Sequence, residues 1–382
     1  MKKSKRKLKL LPKLILLFMI IFIGYTIINS KPRSLEDIGY KQIEIKEINK
    51  LTKSEIEAIK KFKYNKNLVY IITNDEYDSN KLYLYLKYTE KYKDVDYLKV
   101  FKIINNKNFK EENMSEYMDY AKEYSADGIV ELVNNYGKEL KDERTVNLMK
   151  EKYYIHEYLN RYLSYLDIYP KLDYSEVVRN VNCNLDKVYY EDVSEADTSK
   201  GMYTLVNKFY YLTDKYESND IVSVKNKYTK YSAKLNKDAY EAFKKMADDM
   251  AKEDLTIKIT TGYRNYNFQK TLYNNYVESD GVKAADTYSA RPGYSEHQLG
   301  YSADITNGDL VSFDEFENTE EFKWLQKNAY KYGFILRFPK GKDDLTGYIY
   351  ESWHYRYVGK DVAKYIHEND ITYEEYYAYF LR

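Results

Sequence analysis

The sequence predicts an α+β domain preceded by a helical-hairpin repeat region and an N-terminal transmembrane helix, and three observations carry that reading. Leu14 to Ser30 contain no charge and follow a basic start. Apolar positions recur at helical spacing from about residue 51 to 168, with no proline between Arg33 and Tyr169. From Pro170 onward, strand-like and helix-like segments alternate. The 382 residues suit two domains plus an extension. Apolar residues make up 44% of the chain, enough to bury real cores, which argues against wholesale disorder. The 48 tyrosines accompany abundant Lys, Asn and Ile, all encoded by AT-rich codons, so they read as codon bias rather than as a binding surface.

The first 13 residues carry seven Lys/Arg and no acid, and read as a cytoplasmic basic tail, 1–13. With Leu10 and Leu11, the uncharged segment approaches the ~20 residues needed to cross a bilayer, so 14–30 reads as a signal anchor. Positive flanks are retained inside. The expected placement is therefore the cell membrane, single-pass, with the rest of the chain extracellular. A cleaved signal peptide competes, but Ile28, Asn29 and Ser30 are a poor cleavage site. Without the tail, 54 Lys/Arg face 60 Asp/Glu, which argues against a nucleic-acid partner. Cys183 is the single cysteine, so the chain has neither an intramolecular disulfide nor a cysteine-based zinc site.

Residues 31–175 form the expected helical repeat-like region. Ile71-Ile72-Thr73-Asn74 with Tyr77 matches Ile103-Ile104-Asn105-Asn106 with Phe109 at an offset of 32. Leu82, Tyr85, Leu86 and Tyr88 match Met114, Tyr117, Met118 and Tyr120, and a weaker copy begins at Leu132. Such a period suits stacked hairpins, each too small to bury its own apolar face. The region's one histidine, His156, sits in an amphipathic run over 146–166 and reads as structural. No chemistry is legible here, and protein partners are not specified.

The expected second domain is 180–382. Strands are predicted at Val181–Leu185, Ile221-Val222, Leu255–Thr260, Phe334–Phe338 and Tyr355–Val358. Helices are predicted at Leu205–Leu212, 237–251, Phe268–Tyr276 and Glu320–Tyr332, the last stopped by Gly333.

Two of the four histidines keep unusual company. His297 lies in Ser295-Glu296-His297-Gln298-Leu299-Gly300-Tyr301-Ser302-Ala303-Asp304, and His354 in Glu351-Ser352-Trp353-His354-Tyr355-Arg356. A catalytic zinc site wants three N/O ligands and an open position for water. Two imidazoles and the Asp304 carboxylate supply such a set, with Glu351 free to take a proton from water. Spacing alone leaves the alternative of two buried histidines with hydrogen-bonded carboxylates.

The string SEHQLGYSAD is similar to the S-x-H-x-x-G-x-x-x-D element of the VanY-type D-alanyl-D-alanine carboxypeptidases, and ESWHYRYVG resembles their E-x-W-H-x-R-Y-V-G element. Thr260-Thr261-Gly262-Tyr263-Arg264-Asn265 with Gln269 resembles their S/T-G-Y-R-S…Q segment. LVNKFYYLTDKYESNDIV is similar to the stretch upstream of these, although Ser218 stands where proline is usual. The elements occur in the family's order over about 200 residues.

The resemblance implies a small antiparallel sheet with surrounding helices and one Zn2+ per chain. It implies His297, Asp304 and His354 as ligands, Glu351 as general base, and Arg264 at the scissile carbonyl or the substrate carboxylate. Gln269, Ser289 and Ser295 are candidate substrate contacts, with local backbone hydrogen bonds as the alternative. Trp353 is expected to orient His354, Arg356 to pair behind the ligands, and His367 to lie on the surface. The implied reaction is removal of terminal D-alanine from peptidoglycan stem peptides. L,D-carboxypeptidase or endopeptidase action on wall peptides is the alternative, and non-catalytic wall binding a second one.

Overall fold

The computed structural model describes residues 33–137, 142–229 and 231–382. The chain divides into two compact units after Leu159.

The first unit is helical. Ile71 and Ile103, Tyr85 and Tyr117, and Leu86 and Met118, each pair 32 residues apart, are all buried. Short 3-10 turns at Ser79–Lys81 and Glu111–Asn113 lead directly into the helices Leu82–Lys91 and Met114–Ala121. Side chains from successive helices share one apolar cluster around Tyr85, Phe101, Ile104 and Tyr117, so no single helix pair closes its own core. The expected run over 146–166 is broken. One helix ends at Lys150, a 3-10 turn spans His156–Tyr158, and a new helix starts at Leu159. His156 faces the Tyr154 hydroxyl at 3.2 Å and Glu131 at 3.4 Å.

The second unit holds a four-stranded sheet of order β5-β6-β8-β7, from β5 (Ile257–Thr261), β6 (Ser302–Asn307), β7 (Phe334–Leu336) and β8 (His354–Tyr357). Every neighbouring pair is antiparallel. Two short pairs precede it: β1 (Ser194–Glu195) with β2 (Tyr210–Tyr211), and β3 (Ile221–Ser223) with β4 (Lys234–Asn236).

Alternation divides the sheet into an apolar and a polar face. Ile257, Ile259, Ala303, Ile305 and Tyr355 pack in one cluster with the Lys237–Met250 helix. That helix buries Ala239, Tyr240, Phe243, Met246, Ala247 and Met250, the spacing that lines one helical face. Asn236 caps it by accepting from the Asp238 N–H. The opposite face carries Ser302, Asp304, His354 and Arg356.

Three expectations are corrected. Val181–Leu185 is not a strand: Val177, Val178 and Val181 are buried along the helix Tyr174–Asn182, which an Asp173/Glu176 capping box starts. Leu205–Leu212 is not a helix. Its apolar residues divide between two clusters, Leu205 in one and Val206 with Leu212 in another, and the chain turns tightly between Asn207 and Tyr210.

The third correction concerns the membrane. Among the described residues no helix is long and apolar enough to cross one. Their 15-residue helix Tyr266–Asp280 rises only about 22 Å, against a hydrocarbon core of roughly 30 Å. The expected segment 14–30 lies outside the described residues. The described residues thus carry the helical and α+β parts of the expected fold class and no membrane-crossing helix, against the expected single-pass placement.

Candidate metal centre

Register builds the centre of the polar face. Asp304 on β6 pairs directly with His354 on β8, so their side chains stand side by side. The β5–β6 register shifts between Ile259 and Thr261, which sets Thr261 opposite Asp304 and carries the chain on to Gly262 and Arg264. His297 arrives from the 3-10 turn Glu296–Leu299, closed by Gly300 at φ +80°, a conformation that favours glycine.

His297, Asp304 and His354 converge on one point. Asp304 Oδ1 lies 3.4 Å from His297 Nε2 and 3.4 Å from His354 Nδ1. An ion held tetrahedrally by bonds of ~2.0–2.2 Å separates its ligand atoms by roughly 3.3–3.6 Å. The far nitrogen of each imidazole is occupied. His297 Nδ1 lies 2.7 Å from the Gly262 carbonyl, and His354 Nε2 lies 3.0 Å from Glu296 Oε1. These partners assign a proton to each far nitrogen and aim the other lone pair at the shared point. Among the described residues Asp304 Oδ1 is a buried oxygen with no hydrogen-bond donor. Two imidazoles and a carboxylate fit zinc.

Charge follows geometry. Burial holds the His297 imidazole down at about 4, with Arg264 adding to the effect. Burial also opposes protonation of His354, but Asp304, Glu296 and Glu351 outweigh it and push its pKa well up. Asp304 is held well below the usual carboxylate range by His297 and Arg264 against the opposing effect of burial. Glu351 is shifted up by burial. Its Oε2 stands 3.4 Å from His354 Nδ1, three residues along a turn.

Arg264 Nη2 reaches Asp304 Oδ2 and His297 Nε2, each at 2.7 Å, while its Nε is buried without an acceptor among the described residues. Gln269 is buried. It accepts from Arg264 Nη1 at 3.2 Å and donates to the Ala290 carbonyl at 2.8 Å, so it ties the guanidinium to the loop beside the centre. Ser289 and Ser295, both buried, line a cavity of about 330 Å³ together with Arg264, Gln269, Glu351 and the three converging residues. Trp353 also lines this cavity, with its ring stacked on Phe313 at 4.8 Å. His367 lies away from the centre, stacked on Tyr330 at 4.0 Å. Ser218, in the position where the resemblance expects proline, donates to the Leu299 carbonyl at 2.6 Å.

Sequence reasoning expects Arg356 to pair behind the ligands but misses Glu296, Arg337 and Glu374, the rest of the charged cluster behind His354. Glu296 accepts from Ser302, Arg337 and Arg356 as well as facing His354. Arg337 in turn pairs with Glu374. The available signal was Arg337 itself, a charge inside the apolar strand-like run Phe334–Phe338.

Comparison with known proteins matches this part of the chain. The VanY family, described as D-alanyl-D-alanine carboxypeptidase, matches residues 232–360. A putative carboxypeptidase, YodJ of Bacillus subtilis (strain 168), is 40% identical over 214 residues, covering 52% of this chain and 77% of the relative. A D-alanyl-D-alanine carboxypeptidase of Enterococcus faecium is 32% identical over 196 residues, covering 49% of this chain and 61% of that protein. Among solved structures, the LdcB LD-carboxypeptidase matches with 39% identity and a TM-score of 0.47, over 50% of this chain and 92% of that one.

Proposed function

The chain belongs to the VanY family of D-alanyl-D-alanine carboxypeptidases, and we propose that it is a zinc-dependent D,D-carboxypeptidase removing the terminal D-alanine from peptidoglycan stem peptides. The observation that carries this reading is the convergence of His297 Nε2, Asp304 Oδ1 and His354 Nδ1, with each imidazole's far nitrogen already engaged.

Those three atoms would hold the ion. When bound, it supplies a Lewis acid that lowers the pKa of water toward ~7 and polarises a carbonyl. Glu351 is the general base. It stands beside the centre without being needed as a ligand, and burial raises its affinity for the proton it takes from water and passes to the leaving amine. Arg264 offers a fixed guanidinium at the same point. It borders the cavity, where it can donate to the substrate's terminal carboxylate or to the oxyanion. Gln269 acts by holding Arg264, and reaches the substrate through that residue. Ser289 and Ser295 border the cavity and present hydroxyls to the peptide.

Mass analysis of defined pentapeptide and tetrapeptide muropeptides after incubation with the protein tests the assignment. Loss of one alanine from the pentapeptide, with the tetrapeptide intact, is the expected result. Trimming of the tetrapeptide alone would make the enzyme an L,D-carboxypeptidase, and an internal cut would make it an endopeptidase.

A further inference from the structure

We infer that the C-terminal helix Tyr373–Phe380 belongs to the metal centre: Glu374 positions the ligand His354 through Arg337 and Glu296. The inference rests on the zinc reading above and adds a residue beyond the stretch the family matches, which ends at 360.

The chain of contacts is continuous and buried. Glu296 divides its oxygens. Oε1 faces His354 Nε2 at 3.0 Å and accepts from Ser302 at 2.8 Å, while Oε2 accepts from Arg337 Nε at 2.9 Å and Arg356 Nη1 at 3.3 Å. The remaining nitrogens of Arg337 grip Glu374 in a two-pronged contact, Nη1 to Oε2 at 2.9 Å and Nη2 to Oε1 at 2.6 Å. Arg337 is 1% exposed, Glu374 2% and Glu296 4%. Asn207, just before β2, donates to Glu374 Oε1 at 3.3 Å.

Geometry explains why this network acts on the ligand as well as on stability. Arg337 lies between two carboxylates and is pulled by both. With Glu374 present, its charge is shared, and Glu296 keeps one oxygen for the imidazole. Without Glu374, the buried guanidinium draws Glu296 toward itself and away from His354 Nε2. A carboxylate on the far nitrogen fixes an imidazole's orientation and raises its basicity as a ligand. Loss of such a partner typically weakens metal binding ~10–100-fold. Glu374 is therefore a positioning residue, since it touches neither substrate nor metal.

The test is zinc affinity, measured by chelator competition on the full chain well below its melting temperature. Variants are Glu296→Gln, Glu374→Gln, their double, and Glu374→Asp, which keeps the charge should the glutamine variant fail to fold. Both single glutamine variants are expected to weaken zinc binding about 10–100-fold. The double should be no weaker than Glu296→Gln alone, and Glu374→Asp should lie nearer the native protein. Native affinity in both Glu374 variants, with only the melting temperature lowered, would overturn the inference, as would full additivity in the double.

A native protein that binds no zinc would instead sink the reading of the site. The positioning claim is then read from exchange of the His354 Nε2 proton by NMR. Glu374→Gln should speed that exchange, with Glu374→Asp nearer the native rate, and an unchanged rate in the glutamine variant would reject the claim.

Discussion

Arg264 and Asp304 meet at 2.7 Å through Asp304 Oδ2, which leaves Oδ1 turned to both imidazoles. One carboxylate thus serves three neighbours, the arginine and two imidazoles, and the arginine is anchored beside the cavity. Its fork matches two carboxylate oxygens, which a lysine ammonium cannot do. Arg264→Lys should cost about 1.5–3 kcal/mol, or roughly 10–150-fold in kcat/KM on a free-acid stem peptide. On the C-terminally amidated peptide the native enzyme should already be slow and the substitution should matter little. Comparing the two substrates with both proteins checks it. Equal cleavage of acid and amide by the native enzyme would leave Arg264 only the oxyanion.

Glu351→Gln should separate binding from turnover. The carboxylate lies beside His354 but outside the three converging atoms, so zinc content should stay at the native level. Turnover should fall by ~10²–10⁴-fold, the usual worth of a general base. Metal analysis and single-turnover rates on the same preparation decide it. A variant that loses zinc as completely as His297→Ala would make Glu351 a ligand.

Gly262 tests the backbone beneath His297. A Cβ there would meet the Lys234 carbonyl oxygen at 2.1 Å, a backbone atom that cannot swing away. The Gly262 carbonyl is also the partner of His297 Nδ1. Gly262→Ala should destabilise the fold by about 1–3 kcal/mol and weaken zinc binding together. Thermal melts and chelator competition read the two effects. An alanine variant with native affinity would show that the Gly262 carbonyl does not orient the ring.

Lys208 gives a pH prediction away from the centre. Burial lowers its pKa to about 8 from 10.5, despite the neighbouring Asp286. Its Nζ donates to the Asp286 carbonyl at 2.8 Å and lies 4.6 Å from the centre of the Tyr348 ring. Between these two pKa values the unfolded chain binds the proton that the folded chain has released, so stability rises with pH across the window. The full gain is on the order of 3 kcal/mol. Lys208→Met should flatten the slope of unfolding free energy between pH 8 and 9.5. A native protein whose stability is flat or falls there, relative to the variant, would contradict the buried-amine account.

Much of the site was legible because the residues that carry chemistry lie in short local strings. His297 and Asp304, and Glu351 and His354, each sit within one turn-and-strand segment, so the resemblance to the VanY elements could single them out where spacing alone left two buried histidines with hydrogen-bonded carboxylates as the alternative. The long amphipathic helix 237–251 and the strands around Ile259 and Tyr355 were legible because alternation and helical period there coincide with burial. What failed was periodicity without context. Leu205–Leu212 has helix-like spacing, yet its apolar residues serve two different clusters. Val181 lies in a β-branched run that a capping box makes helical. The Glu296–Arg337–Glu374 network joins residues up to 78 positions apart, and no local pattern brings such residues together. For Gln269 the sequence leaves a substrate contact and a local backbone hydrogen bond open, and its side chain is engaged with Arg264 and the Ala290 carbonyl.

The most direct test of the account is zinc titration of the metal-stripped protein, following release of D-alanine from a pentapeptide stem. Activity should be absent at the start, rise in proportion to added zinc, and level off at about one ion per chain, because the three ligand atoms define a single site. Undiminished D-alanine release by protein verified to be free of metal would contradict the central claim, and so would zinc-loaded protein that leaves both pentapeptide and tetrapeptide untouched.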